Sequence, residues 1–309
     1  MDIRQIRAFL AIADSGSVTK AAEALHLVQP AVSRQLKLLE EELGVPLFER
    51  NRSGMCLTPE GEILKVRAAR ALRELDSARV EIKPSGAITG HVNVGLLPSS
   101  CEVIATPLTV KLKKLHPGIH LSLSVGFTDH LMQWVDSGEL DAALLYNVRP
   151  NPALHSVPLL QEPLWLCGAP SICPPIEFKD GLQALGDFPI ILPSRQHGLR
   201  SLVERVCSIS RIPLKVAADT NSLSVHKDLL VNGVGISILP KVAIGPELSN
   251  GRLWAMPITH PEFIRRIELA LPSVKRPTPA VAAVTGVLQK VMAEAVEANI
   301  WFDAIWIGK

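Results

Sequence analysis

Residues Ser17 to Gly44 read SVTKAAEALHLVQPAVSRQLKLLEEELG, and this stretch decides the fold of the front of the chain. Ser17 is a good N-cap, and Val18, Ala21, Ala22 and Leu25 follow at the i, i+3, i+4, i+7 spacing of one helical face. After His26-Leu27-Val28 another helix opens, with Pro30 tolerated in its first turn. Its buried stripe is Val32, Leu36, Leu39 and Leu43, and Gly44 closes it. The alanines of the first helix let a neighbouring helix approach closely, so the stretch predicts two helices packed across a short turn.

The other face of the second helix carries Gln29, Ser33 and Lys37 at i, i+4 and i+8, with Arg34 beside them. Such side chains donate to base edges or phosphates, and they occupy the N-terminal half, where a recognition helix reads a major groove. The acidic run Glu40-Glu41-Glu42 falls at the far end. Upstream, Ile3, Ile6, Phe9, Leu10 and Ala13 form a further amphipathic helix ending near Asp14-Ser15-Gly16. Downstream, Val45–Arg50 and Met55–Thr58 read as two short strands around Asn51-Arg52-Ser53-Gly54, a wing with Arg50 and Arg52 near its tip. Arginines there suit a minor groove or its phosphates. Residues 1–58 hold seven basic and seven acidic side chains, so the case for DNA rests on where charges sit. Pattern alone also fits a three-helix bundle with a solvated polar face.

Thr58 or Pro59 opens a long helix that runs to about Lys83, before Pro84-Ser85-Gly86. Its apolar seam, Leu64, Ala68, Ala71, Leu75, Ala78 and Ile82, alternates steps of four and three, as in a coiled coil. Roughly 25 residues at 1.5 Å each span about 37 Å, close to the roughly 34–36 Å between half-sites one DNA turn apart. This helix is expected to pair with its copy in a second chain; the alternative is packing against its own chain.

From His91 onward short apolar runs alternate with helical ones. Strands are expected at His91–Leu97, Leu121–Val125, Leu140–Tyr146, Pro189–Leu192, Leu214–Ala218 and Ile236–Leu239, with helices between them. This alternation predicts parallel sheets in two lobes, joined by Leu159–Gly168 and Ile264–Leu271, with a last helix from Pro279 to about Glu297. In such sheets ligands bind beyond the C-terminal strand edges, where helix N-termini present free N–H groups. Those edges carry Ser99, Ser100, Thr128, Ser194-Arg195 and Asn221-Ser222, which suggests a small polar ligand bearing a carboxylate or sulfonate. The same hydroxyls could simply cap their helices.

The 309 residues exceed one ordinary core. Mean hydropathy is +0.24, yet no run of 18 apolar residues lacks a charge or a Pro/Gly break, and the start has no apolar signal core. Five cysteines without a close pair fit free thiols in a reducing cytosol. Chemistry is sparse. Gly233-Val234-Gly235 reads as a helix stop rather than a phosphate loop, and Pro117-Gly118 keeps His116 and His120 off one helical face. Ser99 with Asp129-His130 lacks a nucleophile elbow. No metal, cofactor or catalytic set is expected, and Trp134, Trp165 and Trp254 read as packing residues.

The segments Phe9–Ser17, Ala21-Ala22-Glu23-Ala24-Leu25, Gln29-Pro30-Ala31-Val32-Ser33-Arg34-Gln35, Leu43–Arg50 and Leu57-Thr58-Pro59-Glu60-Gly61 resemble the LysR-type transcriptional regulators almost without a break over residues 1–62. The resemblance implies a winged helix-turn-helix head (1–58), a linker or dimerisation helix and hinge (59–90), and an effector-binding domain (91–309). That domain would be a two-lobe α/β unit like a periplasmic binding protein, with lobe I from 91–161 and 265–309 and lobe II from 162–264. It implies effector contacts at Ser99, Ser100, Thr128 and Arg195, to which the strand-edge reading adds Asn221; the DNA contacts expected are Gln29, Pro30, Ser33, Arg34, Lys37, Arg50 and Arg52. Expected partners are double-stranded DNA, a small-molecule effector, further copies of the chain as a dimer of dimers, and RNA polymerase as a candidate; no membrane is expected, and the protein would be cytoplasmic. One departure is Val28, where most members carry Ser or Thr as the N-cap of the recognition helix. Val28→Ser is expected to raise stability or operator affinity modestly. Two other readings remain at this point: a solute-binding protein with an accessory head, and an enzyme with a regulatory head.

Overall fold

The computed structural model describes residues 1–51, 54–82, 87–172, 182, 185–195, 197–273 and 276–308. The chain separates into two compact units, the first made mainly of residues 1–86 and the second of nearly all the rest.

In the first unit, α1 (Ile3–Ser15) starts at Asp2, whose carboxylate accepts the N–H groups of Arg4 and Gln5 while the Gln5 side chain accepts the Asp2 N–H. Ser17 caps α2 (Val18–Ala24), and α3 (Gln29–Leu43) ends at Gly44 in the left-handed region. Phe9, Ile12, Ala21, Val32 and Leu39 are wholly buried between the three helices. The wing is β1 (Phe48–Asn51) paired with β2 (Gly54–Leu57), from Phe48 opposite Leu57 to Asn51 opposite Gly54. It is tied to the α1–α2 turn: the Met55 N–H donates to the Gly16 carbonyl at 2.9 Å. A Cβ on Gly54 would sit 2.6 Å from that same oxygen, so only glycine fits there.

The long helix α4 (Pro59–Ile82) is anchored by Thr58, whose hydroxyl accepts the Gly61 N–H and donates to the Pro46 carbonyl. The expected single seam divides in two. Leu64 and Ala68, with Leu72, pack into the core of the head, whereas Ala71, Leu75, Ala78 and Ile82 are exposed. A straight helix turns every 3.6 residues, so a strict 3.5-residue seam drifts around it by about 20° per heptad. The amino-terminal part of the seam is therefore taken up by the head, and its later positions Ala71, Leu75, Ala78 and Ile82 turn outward. The Pro84-Ser85-Gly86 break lies outside the described residues.

In the second unit, β3 (Gly90–Leu96), α5 (Pro98–Leu115), β4 (Ile119–Val125), α6 (Thr128–Asp136) and β5 (Ala142–Tyr146) begin lobe I, and β6 (Leu154–Pro163) leads out of it. Lobe II holds β7 (Trp165–Gly168), β8 (Pro189–Pro193), α7 (Gly198–Ile209), β9 (Lys215–Thr220), α8 (Leu223–Val231), β10 (Ser237–Leu239), α9 (Lys241–Ser249) and β11 (Trp254–Pro257). The chain returns through β12 (Ile264–Pro272) to α10 (Pro279–Glu297) and β13 (Ile305–Trp306). Lobe I is built on one sheet in the order β13-β6-β12-β5-β3-β4.

The sheets are mixed rather than parallel throughout. β3 runs parallel to β4 and β5, and β8 to β9, but β12 is antiparallel to both β5 and β6, and β7 to both β10 and β11. A chain that leaves a lobe and comes back along the same path must pair its outgoing and returning strands antiparallel. The two lobes have separate cores, with Leu164 already in the second. α10 is long and apolar enough to cross a membrane on composition alone, but Val284, Leu288 and Met292 are buried in the lobe I core, as in the core helix of a globular domain.

Candidate functional site

On α3, Gln29, Pro30, Arg34 and Lys37 are exposed and Ser33 is half-buried, so the five share one accessible flank. The Gln29 amide donates to the Ser33 hydroxyl at 3.0 Å, which holds both groups toward the helix start. Lys37 is 77% exposed and lies 3.6 Å from Glu41, an i,i+4 pair too solvated to hold it firmly. The acidic run is not merely a trailing end: a Glu40 oxygen accepts the Leu47 N–H at 2.7 Å and fixes the connection to the wing. Val28 is the N-cap, in extended conformation and without a side-chain cap bond, as its chemistry requires. Arg50 lies in β1 opposite Met55, while its side chain, and Arg52 altogether, fall outside the described residues.

In the second unit a cleft of about 450 Å³, solvent at its mouth included, opens between the lobes. Pro98, Ser99, Phe127, Tyr146 and Arg265 form one side of it, and Pro193, His197, Asn221, Ser222 and His226 much of the other. Four helices begin at its wall: α5 at Pro98, α7 after His197, α8 after Ser222, and α9 after Pro240. Side chains cap α7 and α8, whereas α5 and α9 start without a side-chain cap. The starts of α5, α7 and α8 contribute partial positive charge, whereas α9 leaves helical geometry at Ile244 after its first turn.

The floor is a buried polar network. Arg265 Nε and Nη2 donate to Glu162 Oε1 at 2.9 and 2.6 Å, and Nη2 lies 3.4 Å from Ser99 Oγ. Trp301 Nε1 donates to the other Glu162 oxygen at 2.8 Å. The guanidinium stacks 3.8 Å from the centre of the Tyr146 ring, whose hydroxyl makes a short contact with Ser99 Oγ. Burial pushes the Tyr146 phenol up to about 12, against the opposing pull of Arg265, so it keeps its proton.

Both cleft histidines are held neutral. His197 Nδ1 accepts the Leu199 N–H at 3.0 Å, and His226 Nε2 lies 2.7 Å from Ser237 Oγ, which itself donates to the Ile191 carbonyl. His226 therefore carries its proton on Nε2. Burial lowers both to about 4; for His197 the charge of Arg265 and then His226 add to it, while for His226 a backbone hydrogen bond opposes it.

Of the effector residues expected from sequence, Ser99 and Asn221 line the cleft. Ser100 is buried in the first turn of α5 and donates to the Leu97 carbonyl at 2.9 Å, so its hydroxyl is engaged by the helix's own backbone. Thr128 accepts the Tyr146 N–H at 3.1 Å, tying α6 to β5. Arg195 is exposed and is not among the lining residues. The cation at the cleft is instead Arg265, and Tyr146, His197 and His226 were likewise not anticipated. In Ile264-Arg265-Arg266 a strand puts neighbours on opposite faces: Arg265 is buried and Arg266 exposed. The sequence signals that one arginine points inward without saying which.

The model for the "Bacterial regulatory helix-turn-helix protein, lysR family" matches residues 3–62, and that for the "LysR substrate binding domain" matches residues 85–293. The nitrogen assimilation regulatory protein nac of Escherichia coli K12 is 30% identical over 298 residues, covering 96% of this chain and 97% of that protein. Among solved structures, a mutant OxyR of Corynebacterium glutamicum with hydrogen peroxide bound is 27% identical with a TM-score of 0.60, covering 96% of each chain. Full-length CbnR in complex with its target DNA has a TM-score of 0.69 at 22% identity, covering 94% of this chain and 100% of that one; at that distance it speaks for the fold.

Proposed function

The chain belongs to the LysR family of DNA-binding transcriptional regulators, and on that premise we propose that a small polar anion, bound in the interlobe cleft, sets how its heads hold DNA. The observation that carries the anion is the convergence of three helix starts (α5, α7 and α8) and Arg265 on one cleft whose described lining includes no carboxylate. A binding anion gains from all of them and meets no acid.

Gln29, Pro30, Ser33, Arg34 and Lys37 lie along the major groove in this reading, with Arg50 and Arg52 of the wing on the adjacent backbone or minor groove. The bare stripe of α4 at Ala71, Leu75, Ala78 and Ile82 pairs with a second copy, and two such pairs form a tetramer on an interrupted palindrome. An effector acts only by binding two lobe arrangements unequally, and it biases the spacing of the heads to that extent. A bridge that spans the cleft, Lys227 of α8 to Glu102 of α5 at 2.9 Å, is one contact whose making or breaking distinguishes those arrangements. The protein acts in the cytoplasm with its DNA, and RNA polymerase is its further partner.

Fluorescence anisotropy on duplex from the region upstream of its own gene tests the reading. Arg34→Ala is expected to cost about 1–3 kcal/mol on the target and to blur discrimination if Arg34 reads a base. An equal loss on all sequences makes Arg34 a phosphate contact, and no loss at all removes α3 from the interface.

A further inference from the structure

Arg265 is the one formally charged group among the described residues lining the cleft. Its counter-charge, Glu162, is only 1% exposed and sits behind it, held a second time by Trp301. The positive head thus faces the cleft while its neutralising partner does not. A guanidinium has five N–H donors, and Glu162 and Ser99 do not exhaust them. The Tyr146 hydroxyl stands beside it and, at neutral pH, keeps a proton to donate. Away from this corner Phe127, Leu199, Leu223, Leu239 and Ala243 give the wall an apolar stretch, beside the polar Thr220, Asn221 and Ser222, with the Phe127 and His197 rings edge to face at 4.5 Å.

Resting on the cleft being the effector site, we propose that the effector is a monocarboxylic acid with an apolar body of about ring size, its carboxylate read by Arg265, Tyr146 and Ser99. A carboxylate placed there takes over the Ser99–Tyr146 contact and receives charge-assisted hydrogen bonds from Arg265 and Tyr146. A neutral amide of the same shape loses the charge. A dicarboxylate gains nothing from its second group, because neither cleft histidine is cationic at neutral pH and the described lining holds no second cation; that group is desolvated without compensation. Acetate has the charge but leaves the apolar wall unfilled. Arg265 stands on β12 and Glu162 on β6, the two strands that join the lobes, so a ligand held by Arg265 is held at the crossing itself.

Calorimetric titration of the full chain with phenylacetate, phenylacetamide, phenylmalonate and acetate tests this directly. Phenylacetate is expected to bind at least about tenfold more tightly than each of the others, the scale of one charge-assisted hydrogen bond. That preference over phenylacetamide should vanish in Glu162→Gln/Arg265→Met, which removes both charges together and leaves neither buried alone. It should weaken in Tyr146→Phe, which takes away only a hydroxyl. Phenylacetamide or phenylmalonate binding as well as phenylacetate, or a preference that survives in both variants, overturns the proposal while leaving the cleft as the effector site. If no probe gives heat and none slows amide exchange around the cleft, the effector-site reading fails with it.

Discussion

Replacing Val28 by serine tests how the start of α3 is satisfied. Val28 is 69% exposed and already extended, so its isopropyl group contributes little burial and serine needs no backbone change. A serine N-cap usually gains about 1 kcal/mol by accepting the N–H of the second or third helical residue. Here the second is Pro30, which has no N–H, and the third, Ala31, already donates to the Val28 carbonyl at 3.0 Å. The hydroxyl can only share a donor that is in use, and we expect about half the ordinary gain, roughly 0.5 kcal/mol. Hydrogen exchange in the full-length protein reads this at the first turn of α3, where amides should exchange about twofold more slowly in Val28→Ser, with operator affinity rising by no more than that factor. Slowing of fivefold or more would mean that the Ala31 amide is not committed, and faster exchange would mean that the exposed valine stabilises the turn. Either result refutes the reasoning.

Glu162→Gln should destabilise the second unit by about 3–5 kcal/mol in urea, because Arg265 is left buried and unpaired, and Arg265→Met added to it should restore most of the loss; a single variant costing under about 1 kcal/mol would show that the pair is solvated. His226, lowered to about 4 from 6.5, is protonated first in the unfolded chain. Its contribution is complete above pH 6.5 and drains away as pH falls toward 4, by roughly 3 kcal/mol in all. His226→Gln should flatten the dependence of the urea midpoint on pH across that window, and an unchanged slope would exonerate the histidine. In a Cys56→Ser background, Leu75→Cys should give a disulfide-linked dimer on a non-reducing gel and Leu64→Cys none, since Leu64 packs against its own head; the reverse pattern would move the pairing face.

Regular spacing made some elements legible. The last helix runs over Pro279–Glu297 as its apolar run indicated, and Gly233 stops α8 in the left-handed region, as its position indicated. α9 was invisible because Gly245 and Pro246 interrupt it and Ile244 departs from helical geometry, so no 3.6-residue period survives. β11 and β13 are too short to alternate. The head's three helices were readable from their apolar stripes and from Ser17 and Gly44 at their ends, although Leu43, expected on the buried stripe of α3, is exposed. The cleft was not: its position at strand edges follows from topology, but the identity of its cation depends on which face of β12 turns inward. Arg195, which looked well placed beside Ser194 at a strand end, instead faces water.

The two faces of α4 make the head's integrity independent of company, while its outer carboxyl half is not. Ala68 is sealed inside the head, so a solitary chain still folds a complete reading domain. Leu75 at 44% and Ile82 at 79% exposure leave that chain with an apolar handle that the proposed pairing with a second copy would cover. Proteases and chaperones that grip such handles would clear unpaired chains, and the number of DNA-reading heads in a cell would follow the supply of partners more closely than the rate of synthesis.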